Sequence, residues 1–237
     1  MVKIISENLR LVEKSIRDAC ERAGRDRTEV TLMAVTKTQS IEVLEAARQA
    51  GLELFGENRV QEAVTKREAF AGQARWELIG PLQSNKARLA VRHFDRIQTV
   101  DRLKIVEALA RLCVDEGRAE LPVLLQVNAG EDPAKAGCTV EEAPALAERI
   151  LAAGPLRLDG LMTIAPFADD PAVARRCFAR LRVLRDALRE RFGCPLEVLS
   201  MGMSGDFAEA IAEGATLIRV GSALFGARES PRADPKS

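Results

Sequence analysis

The segment TLMAVTKTQSIEVLEAARQAGLELFGEN, residues 31–58, contains a complete strand–helix–strand unit. It begins with a mainly apolar run over 31–37 and ends with a second over 52–58, and both have the length and composition of buried strands. The residues between them, from Ile41 to Arg48, follow a 3.6-residue period, and Ser40 is suited to cap the start of that helix. The segment therefore predicts one β–α–β unit of a parallel sheet.

The same alternation of strand and helix patterns continues to the end of the chain. An extra helix is predicted over roughly 6–23, ending at Gly24. The chain has 237 residues, close to the roughly 250 typical of a single (β/α)8 TIM barrel, and we predict that fold over residues 1–226. An open doubly wound sheet is the alternative. The polar, proline-containing tail, 227–237, is predicted to be disordered. The six further predicted strands cover 75–82, 96–100, 122–129, 158–164, 197–203 and 217–226.

Composition excludes several classes of function. Lys plus Arg and Asp plus Glu both number 35, so net charge gives no support for binding nucleic acid or an anionic membrane. No stretch is long and apolar enough to cross a bilayer, and the amino terminus lacks the apolar core of a signal peptide. Five scattered cysteines without a CxxC pair argue against disulfides and a metal site. We therefore predict a cytoplasmic protein that binds a small molecule. A monomer, and a surface or capping role for the single histidine, His93, are also predicted.

Lys37 is the first candidate functional residue. Lysine is scarce, and Lys37 alone among the eight lysines closes a predicted strand. At the carboxyl end of a barrel strand it would point into the mouth of the barrel, where desolvation favours the neutral amine that Schiff-base chemistry requires. A lysine that simply faces solvent at a strand end is the alternative.

Two loops rich in glycine and serine form the second candidate feature. LSMGMSGDFAEAI brings Ser200, Ser204 and Gly205 to the end of the seventh strand, and RVGSALFG brings Gly221 and Ser222 to the end of the eighth. Small residues at these points let backbone N–H groups and hydroxyls surround an anion, and this is the usual phosphate site of such barrels. The loops therefore predict a phosphate site, with ordinary turns as the alternative.

Arg219 lies two residues before Gly221, so strand alternation sends both to the same side. A buried arginine needs an acceptor, and a ring nitrogen or carboxylate of a ligand would supply one. A structural salt bridge to Glu57 or Glu77 is the alternative. Asn58, at the end of the second strand, is a candidate for orienting the ligand.

The segments AVTK, FGENRVQEA, LIGPLQSNKA, QVN, GLMTIAPF, LSMGMSGDFAEAI and RVGSALFG occur in this order over nearly the whole chain. Together they closely resemble the pyridoxal phosphate homeostasis proteins of the PROSC/YggS type. The resemblance implies a barrel similar to the amino-terminal domain of alanine racemase, with pyridoxal 5'-phosphate (PLP) bound as a Schiff base on Lys37. It also implies that Ser204, Gly221 and Ser222 hold the phosphate and that Arg219 faces the pyridine nitrogen.

Besides the residues named above, the predicted cofactor-binding set includes Met201 of the seventh strand. No catalytic residue and no metal ligand are predicted. Two positions depart from the family pattern: Arg59 stands where a tyrosine is frequent, and Glu77 where a histidine is frequent. These departures put in doubt any contact made through those two side chains. The predicted set is Lys37, Asn58, Ser200, Met201, Ser204, Arg219, Gly221 and Ser222.

The resemblance implies a carrier that takes part in intracellular PLP homeostasis rather than an enzyme, with PLP-dependent apo-enzymes as candidate recipients. An arginine beside the pyridine nitrogen would keep it unprotonated and weaken the ring as an electron sink. In the similar racemases a tyrosine acts as the second base, and this chain has no tyrosine. A racemase-like enzyme with another base remains an alternative, as does an aldolase that forms a Schiff base with a sugar. Lys135, in GEDPAKAGC, is either a transit amine or a solvated loop lysine.

Overall fold

A computed structural model describes residues 1–226. Eight parallel strands close into one barrel in the order of the sequence, which confirms the predicted TIM barrel. The closure is made by β1 and β8, where Thr31 pairs with Leu217 and Met33 pairs with Arg219. The strands are β1 (Thr31–Val35), β2 (Leu54–Glu57), β3 (Arg75–Leu78), β4 (Arg96–Val100), β5 (Leu121–Gln126), β6 (Leu156–Met162), β7 (Val198–Met203) and β8 (Leu217–Val220).

Helices surround the barrel, and the additional amino-terminal helix is confirmed. It begins earlier than predicted, and Gly24 follows its end with φ of 64°, a conformation that favours glycine. This first helix packs against the second, eighth and ninth helices. The α-helices within residues 1–226 are α1 (Val2–Arg22), α2 (Ile41–Gln49), α3 (Val60–Ala69), α4 (Ala87–His93), α5 (Leu103–Asp115), α6 (Ala143–Leu151), α7 (Pro171–Phe192), α8 (Phe207–Ala212) and α9 (Ser222–Phe225).

Strand alternation separates the core into two parts. Outward-facing side chains such as Phe55, Trp76 and Met201 join the large cluster between the sheet and the helices. A small apolar cluster inside the barrel consists of Met33, Leu54, Ile79 and Leu217, with Val35 and Val198 packed against it. The same inward-facing rows carry polar side chains toward the carboxyl ends of the strands, where the loops can present a site.

Several strands end sooner than the sequence pattern predicts. The prediction of a strand over 217–226 is wrong beyond Val220, because residues Ser222–Phe225 form α9. Ala, Leu and Phe are compatible with either structure, so the apolar run alone did not reveal the turn at Gly221. β3 likewise ends at Leu78 before Gly80 and Pro81. His93 is the last residue of α4, as expected for a helix end. Within residues 1–226, no helix has the length and apolar character needed to cross a membrane.

Candidate functional site

A cavity of about 300 Å³ lies at the carboxyl end of the barrel, between the loops that follow β1, β7 and β8. Five of the predicted site residues line it, namely Lys37, Ser204, Arg219, Gly221 and Ser222. Residues outside the predicted cofactor-binding set complete the lining, among them Val35, Thr38, Gln39, Met203 and Gly205. The cavity lining thus combines one lysine, one arginine, two serines, one threonine and three glycines.

Lys37 lies in the turn after β1 rather than inside the strand. The strand ends at Val35, but the Thr36 N–H still donates to the Gly56 carbonyl at 3.0 Å, so the sheet register continues for one residue. Lys37 shares the inward-facing row of Met33 and Val35 and lines the cavity. Thr38 then takes a φ of 65°, a conformation uncommon outside glycine, and the chain turns toward α2.

The turn after β7 is shaped by Gly202, which has a φ of 90°. A Cβ on Gly202 would lie 2.6 Å from the Cβ of Ala210 and 2.9 Å from the Cα of Phe207, so only glycine lets α8 approach this closely. Asp206 fixes the turn by accepting a hydrogen bond of 2.6 Å from the Met203 N–H. A Cβ on Gly205 would meet nothing within 4 Å, which leaves the Ser204–Gly205 backbone open toward a ligand.

The turn after β8 lies beside the turn after β7, because β7 and β8 pair and Met203 is opposite Arg219. Gly221 is the N-cap residue of α9, and the side chain of Ser222 is exposed at the edge of the cavity. Ser204, Gly205, Gly221 and Ser222 of these two neighbouring turns therefore line the cavity together. This donor set suits a phosphate group.

Arg219 is fully inside the barrel. Its Nη1 donates to Ser200 Oγ at 2.7 Å and its Nη2 donates to the Thr163 carbonyl at 2.8 Å. Burial lowers the pKa of Arg219 to about 10, against the opposing attraction of Asp206. Burial in turn raises the pKa of Asp206. Across residues 1–226, no ion pair joins Arg219 to a carboxylate, so the alternative of a direct salt bridge to Glu57 or Glu77 is wrong.

A chain of hydrogen bonds nevertheless connects Arg219 to Glu77. Ser200 Oγ, which accepts from Arg219, donates to Gln98 Oε1 at 2.6 Å, and Gln98 Nε2 donates to Glu77 Oε2 at 2.6 Å. Because a carboxylate only accepts, Glu77 fixes the orientation of the Gln98 amide, which in turn fixes the hydroxyl of Ser200. Burial raises the pKa of Glu77, while the nearby Arg96 and Gln98 oppose that change.

The other predicted site residues lie outside the cavity lining. Ser200 lies beneath the cavity and reaches it through Arg219. Met201, one residue later, faces the opposite way and packs in the cluster between sheet and helices. Asn58 follows β2 and is half-buried, with its carbonyl close to Gly80. Contacts from Asn58 and Met201 to a ligand therefore stay predictions.

Sequence reasoning missed one buried group, Lys66 of α3. Its side chain is 8% exposed, and its Nζ donates to the Thr36 carbonyl, to Glu57 and to Glu62. The spacing of Glu62 and Lys66 was a usable signal for a helical ion pair, but not for burial beside the Lys37 turn. Arg59, the departure from the family pattern, is exposed at the start of the same helix.

Lys135 lines a neighbouring cavity of about 400 Å³, which shares Met203 and Gly205 with the first. Acidic side chains of Asp169, Asp206 and Glu209 also line this second cavity. Lys135 thus lies close to the candidate site in space although it is remote from Lys37 in sequence.

Comparisons with known proteins show the family to which this sequence is similar. The family model for the alanine racemase N-terminal domain matches residues 8–229. A pyridoxal phosphate homeostasis protein of Pseudomonas aeruginosa is 45% identical over 226 residues, covering 95% of this chain and 96% of the relative. The resemblance read from the sequence motifs is therefore confirmed.

Solved structures give the same result for the fold. PipY of Synechococcus elongatus, crystallised with PLP bound, is 37% identical with a TM-score of 0.83, and the match covers 94% of this chain and all of PipY. An alanine racemase of Clostridium difficile matches with a TM-score of 0.74 at 14% identity, covering 92% of this chain and 57% of the racemase. At that identity, the likeness to the racemase concerns the fold alone.

Proposed function

This chain belongs to the family of pyridoxal phosphate homeostasis proteins, and from that premise we propose that it is a PLP-binding carrier that holds the cofactor as a Schiff base on Lys37. The observation that supports this most directly is the shared cavity, in which the Lys37 side chain and the two glycine–serine turns line one small volume. When bound, PLP supplies an aldehyde that an amine captures reversibly with loss of water.

The residues of the cavity fit the chemical groups of PLP. Ser204, Gly221 and Ser222 offer hydroxyl and amide donors for a phosphate at one end. Lys37 offers the amine for the aldehyde, and Arg219 offers a guanidinium for the pyridine nitrogen. The cavity volume of about 300 Å³ is of the size that small ligands occupy.

Arg219 disfavours broad carbanion chemistry, and the absence of tyrosine from the sequence removes the second base of the similar racemases. A guanidinium donates hydrogen bonds but gives up a proton only at high pH, so it cannot protonate the pyridine nitrogen at neutral pH. An unprotonated ring withdraws electrons weakly and gives little help to reactions that form a carbanion. We therefore propose storage and delivery of the cofactor, with PLP-dependent apo-enzymes as recipients, and no catalysis.

We further propose that the protein works as a monomer in the cytoplasm. All five cysteines are free thiols, and four of them are buried. Burial raises the pKa of Cys138 to about 12 and also raises that of Cys177, which keeps these thiols protonated and unreactive. Free thiols of this kind fit a reducing compartment.

Loading with PLP tests the proposed function. The purified chain is incubated with PLP, separated from excess cofactor, and examined for the visible absorbance of a Schiff base. Wild type and Lys104→Ala, a control on the outer helix α5, should show the absorbance band of a Schiff base, and Lys37→Ala should lack that band even where it retains PLP without a covalent bond. A colourless wild-type protein would contradict the proposal.

Incubation with single L-amino acids separates carrier from enzyme. The PLP-loaded chain should produce D-amino acid or keto acid no faster than free PLP does. Production well above that background, lost in Lys37→Ala, would support the racemase-like alternative instead.

A further inference from the structure

The turn that carries Lys37 is held on both sides by α3. Before Lys37, the Thr36 carbonyl accepts a hydrogen bond of 2.8 Å from Lys66 Nζ. After Lys37, the Thr38 N–H donates to Glu62 Oε1 at 2.6 Å. The two backbone groups that flank the lysine are thus bound by two side chains one helical turn apart, which are themselves paired at 2.7 Å.

Every N–H donor of the Lys66 ammonium takes part in this arrangement. An ammonium has three N–H donors, and Lys66 uses them on the Thr36 carbonyl, Glu57 Oε1 and Glu62 Oε1 at 2.7–2.8 Å. Glu57 Oε1 also accepts from the Thr36 hydroxyl at 2.6 Å. Glu57 therefore binds the side chain of Thr36, and Lys66 binds its carbonyl.

Burying these charged side chains costs free energy, which indicates that they do more than an ordinary surface ion pair does. Glu57 is buried, and its second oxygen, Oε2, has no hydrogen-bond partner within residues 1–226. Burial raises the pKa of Glu57 despite Lys66 and Thr36. For Glu62, burial would raise the pKa, but the bonds from Lys66 and from the Thr38 N–H lower it overall. A buried ion pair adds little net stability, and positional specificity is its better-attested role.

We propose that Lys66, Glu57 and Glu62 form a clamp that positions the Thr36–Thr38 turn and thereby keeps the Lys37 amine directed into the cavity. The clamp acts through Lys37, so its three members are positioning residues and do not contact the cofactor. The positive φ of Thr38, 65°, is an uncommon conformation for threonine, and such a conformation persists only where surrounding contacts hold it. The predicted effect of the clamp on PLP release rests on the proposed function. The positioning of the Thr36–Thr38 turn by the clamp does not.

The main test uses Lys66→Met, which keeps an unbranched stem and removes the charge. Lys14→Met is the matched control, because Lys14 forms an i,i+4 ion pair with Asp18 on the exposed face of α1. In the cofactor-free protein, amide hydrogen exchange at residues 36–38 should be at least about tenfold faster in Lys66→Met than in wild type, and unchanged in Lys14→Met.

The consequence for the cofactor is read from PLP release. PLP should dissociate from Lys66→Met about tenfold faster than from wild type, since small misplacements of a reacting group have effects of this size or more. In a Lys37→Ala background the Lys66 substitution should leave the affinity for PLP unchanged. A Lys66 effect that persists without Lys37 would overturn the proposal, because it would then reflect general stability.

If Lys66→Met fails to fold, Glu62→Ala provides a second test of the clamp. Glu62 is partly exposed, so its loss leaves the buried Lys66–Glu57 pair intact while freeing the Thr38 N–H. Exchange at Thr38 should accelerate, and Glu62→Gln, which retains an acceptor oxygen, should restore much of the protection. Unchanged exchange in Glu62→Ala would refute the clamp. Absence of any PLP adduct in wild type would instead refute the proposed function and leave the exchange result standing.

Discussion

The guanidinium of Arg219 and the carboxylate of Glu77 are joined through the barrel interior by two intervening side chains, Ser200 and Gln98. Each bond in the chain points the same way, from the arginine toward the carboxylate. A departure from the family pattern at residue 77 thus supplies the acceptor that terminates the chain. The position of Arg219 in the candidate site depends on a residue in the third strand.

The pH dependence of stability should report the burial of Glu77. Burial raises its pKa, so between the ordinary glutamate value of about 4.3 and the raised value the folded chain binds more protons than the unfolded chain. The contribution of Glu77 to the free energy of unfolding is therefore largest at low pH and is lost as pH rises through that window. Relative to wild type, Glu77→Gln should become progressively more stable over the same window. Urea denaturation at a series of pH values measures this, and a pH-independent difference would contradict it.

Gln98 and Glu77 should show strong energetic coupling. Gln98→Leu leaves the buried carboxylate without its donor and should cost about 1–3 kcal/mol of the free energy of unfolding. Glu77→Leu combined with Gln98→Leu removes both partners, so the double variant should lose about 1 kcal/mol less than the sum of the single variants. Gln61→Leu, on the exposed face of α3, should change stability by less than about 0.5 kcal/mol. Additive losses at 77 and 98 would argue against the chain.

Gly202 and Gly205 should respond differently to alanine. At Gly202 the new Cβ meets Ala210 and Phe207, and the positive φ adds strain, so Gly202→Ala should cost about 1–3 kcal/mol of stability. At Gly205 the Cβ enters open space, so stability should hold while phosphate access to the turn is reduced. Thermal unfolding together with PLP titration separates the two effects. Equal destabilisation by both substitutions would contradict this prediction.

The serine hydroxyls should contribute to phosphate binding. Ser204→Ala and Ser222→Ala should each weaken the affinity for PLP by about tenfold, corresponding to about 1.4 kcal/mol for a hydrogen bond to a charged group. Neither should destabilise the cofactor-free chain, because Ser204 is half-buried and Ser222 is exposed. Ser15→Ala, remote on α1, serves as the control in PLP titrations. Unchanged affinity in both site variants would place the phosphate elsewhere.

The barrel could be predicted from the sequence because strands and helices show different patterns of apolar residues. Strand starts were close to the pattern, as at Thr31, Arg75 and Leu217. Strand ends were less accurate, because an apolar run such as residues 217–226 can continue as a helix after Gly221. Local pattern does not distinguish these structures, whereas packing against the neighbouring strands does.

Most of the site was also predictable, since barrel topology brings strand ends together. Lys37, Arg219 and the glycine–serine turns meet for that reason. The positions of Lys66 and Glu77 were not predictable, because burial of a charged side chain depends on partners from other elements. Lys66 requires Glu57 from β2, and Glu77 requires Gln98 from β4. No periodicity within α3 or β3 encodes those contacts.

The covalent link to Lys37 is tested most directly by reducing the PLP-loaded chain with borohydride and mapping the added mass by peptide analysis. We predict that the reduced cofactor is found on the peptide that contains Lys37, and on no other lysine at comparable occupancy. Reduced cofactor found mainly at Lys135, at Lys66 or at no lysine would contradict the proposed role of Lys37.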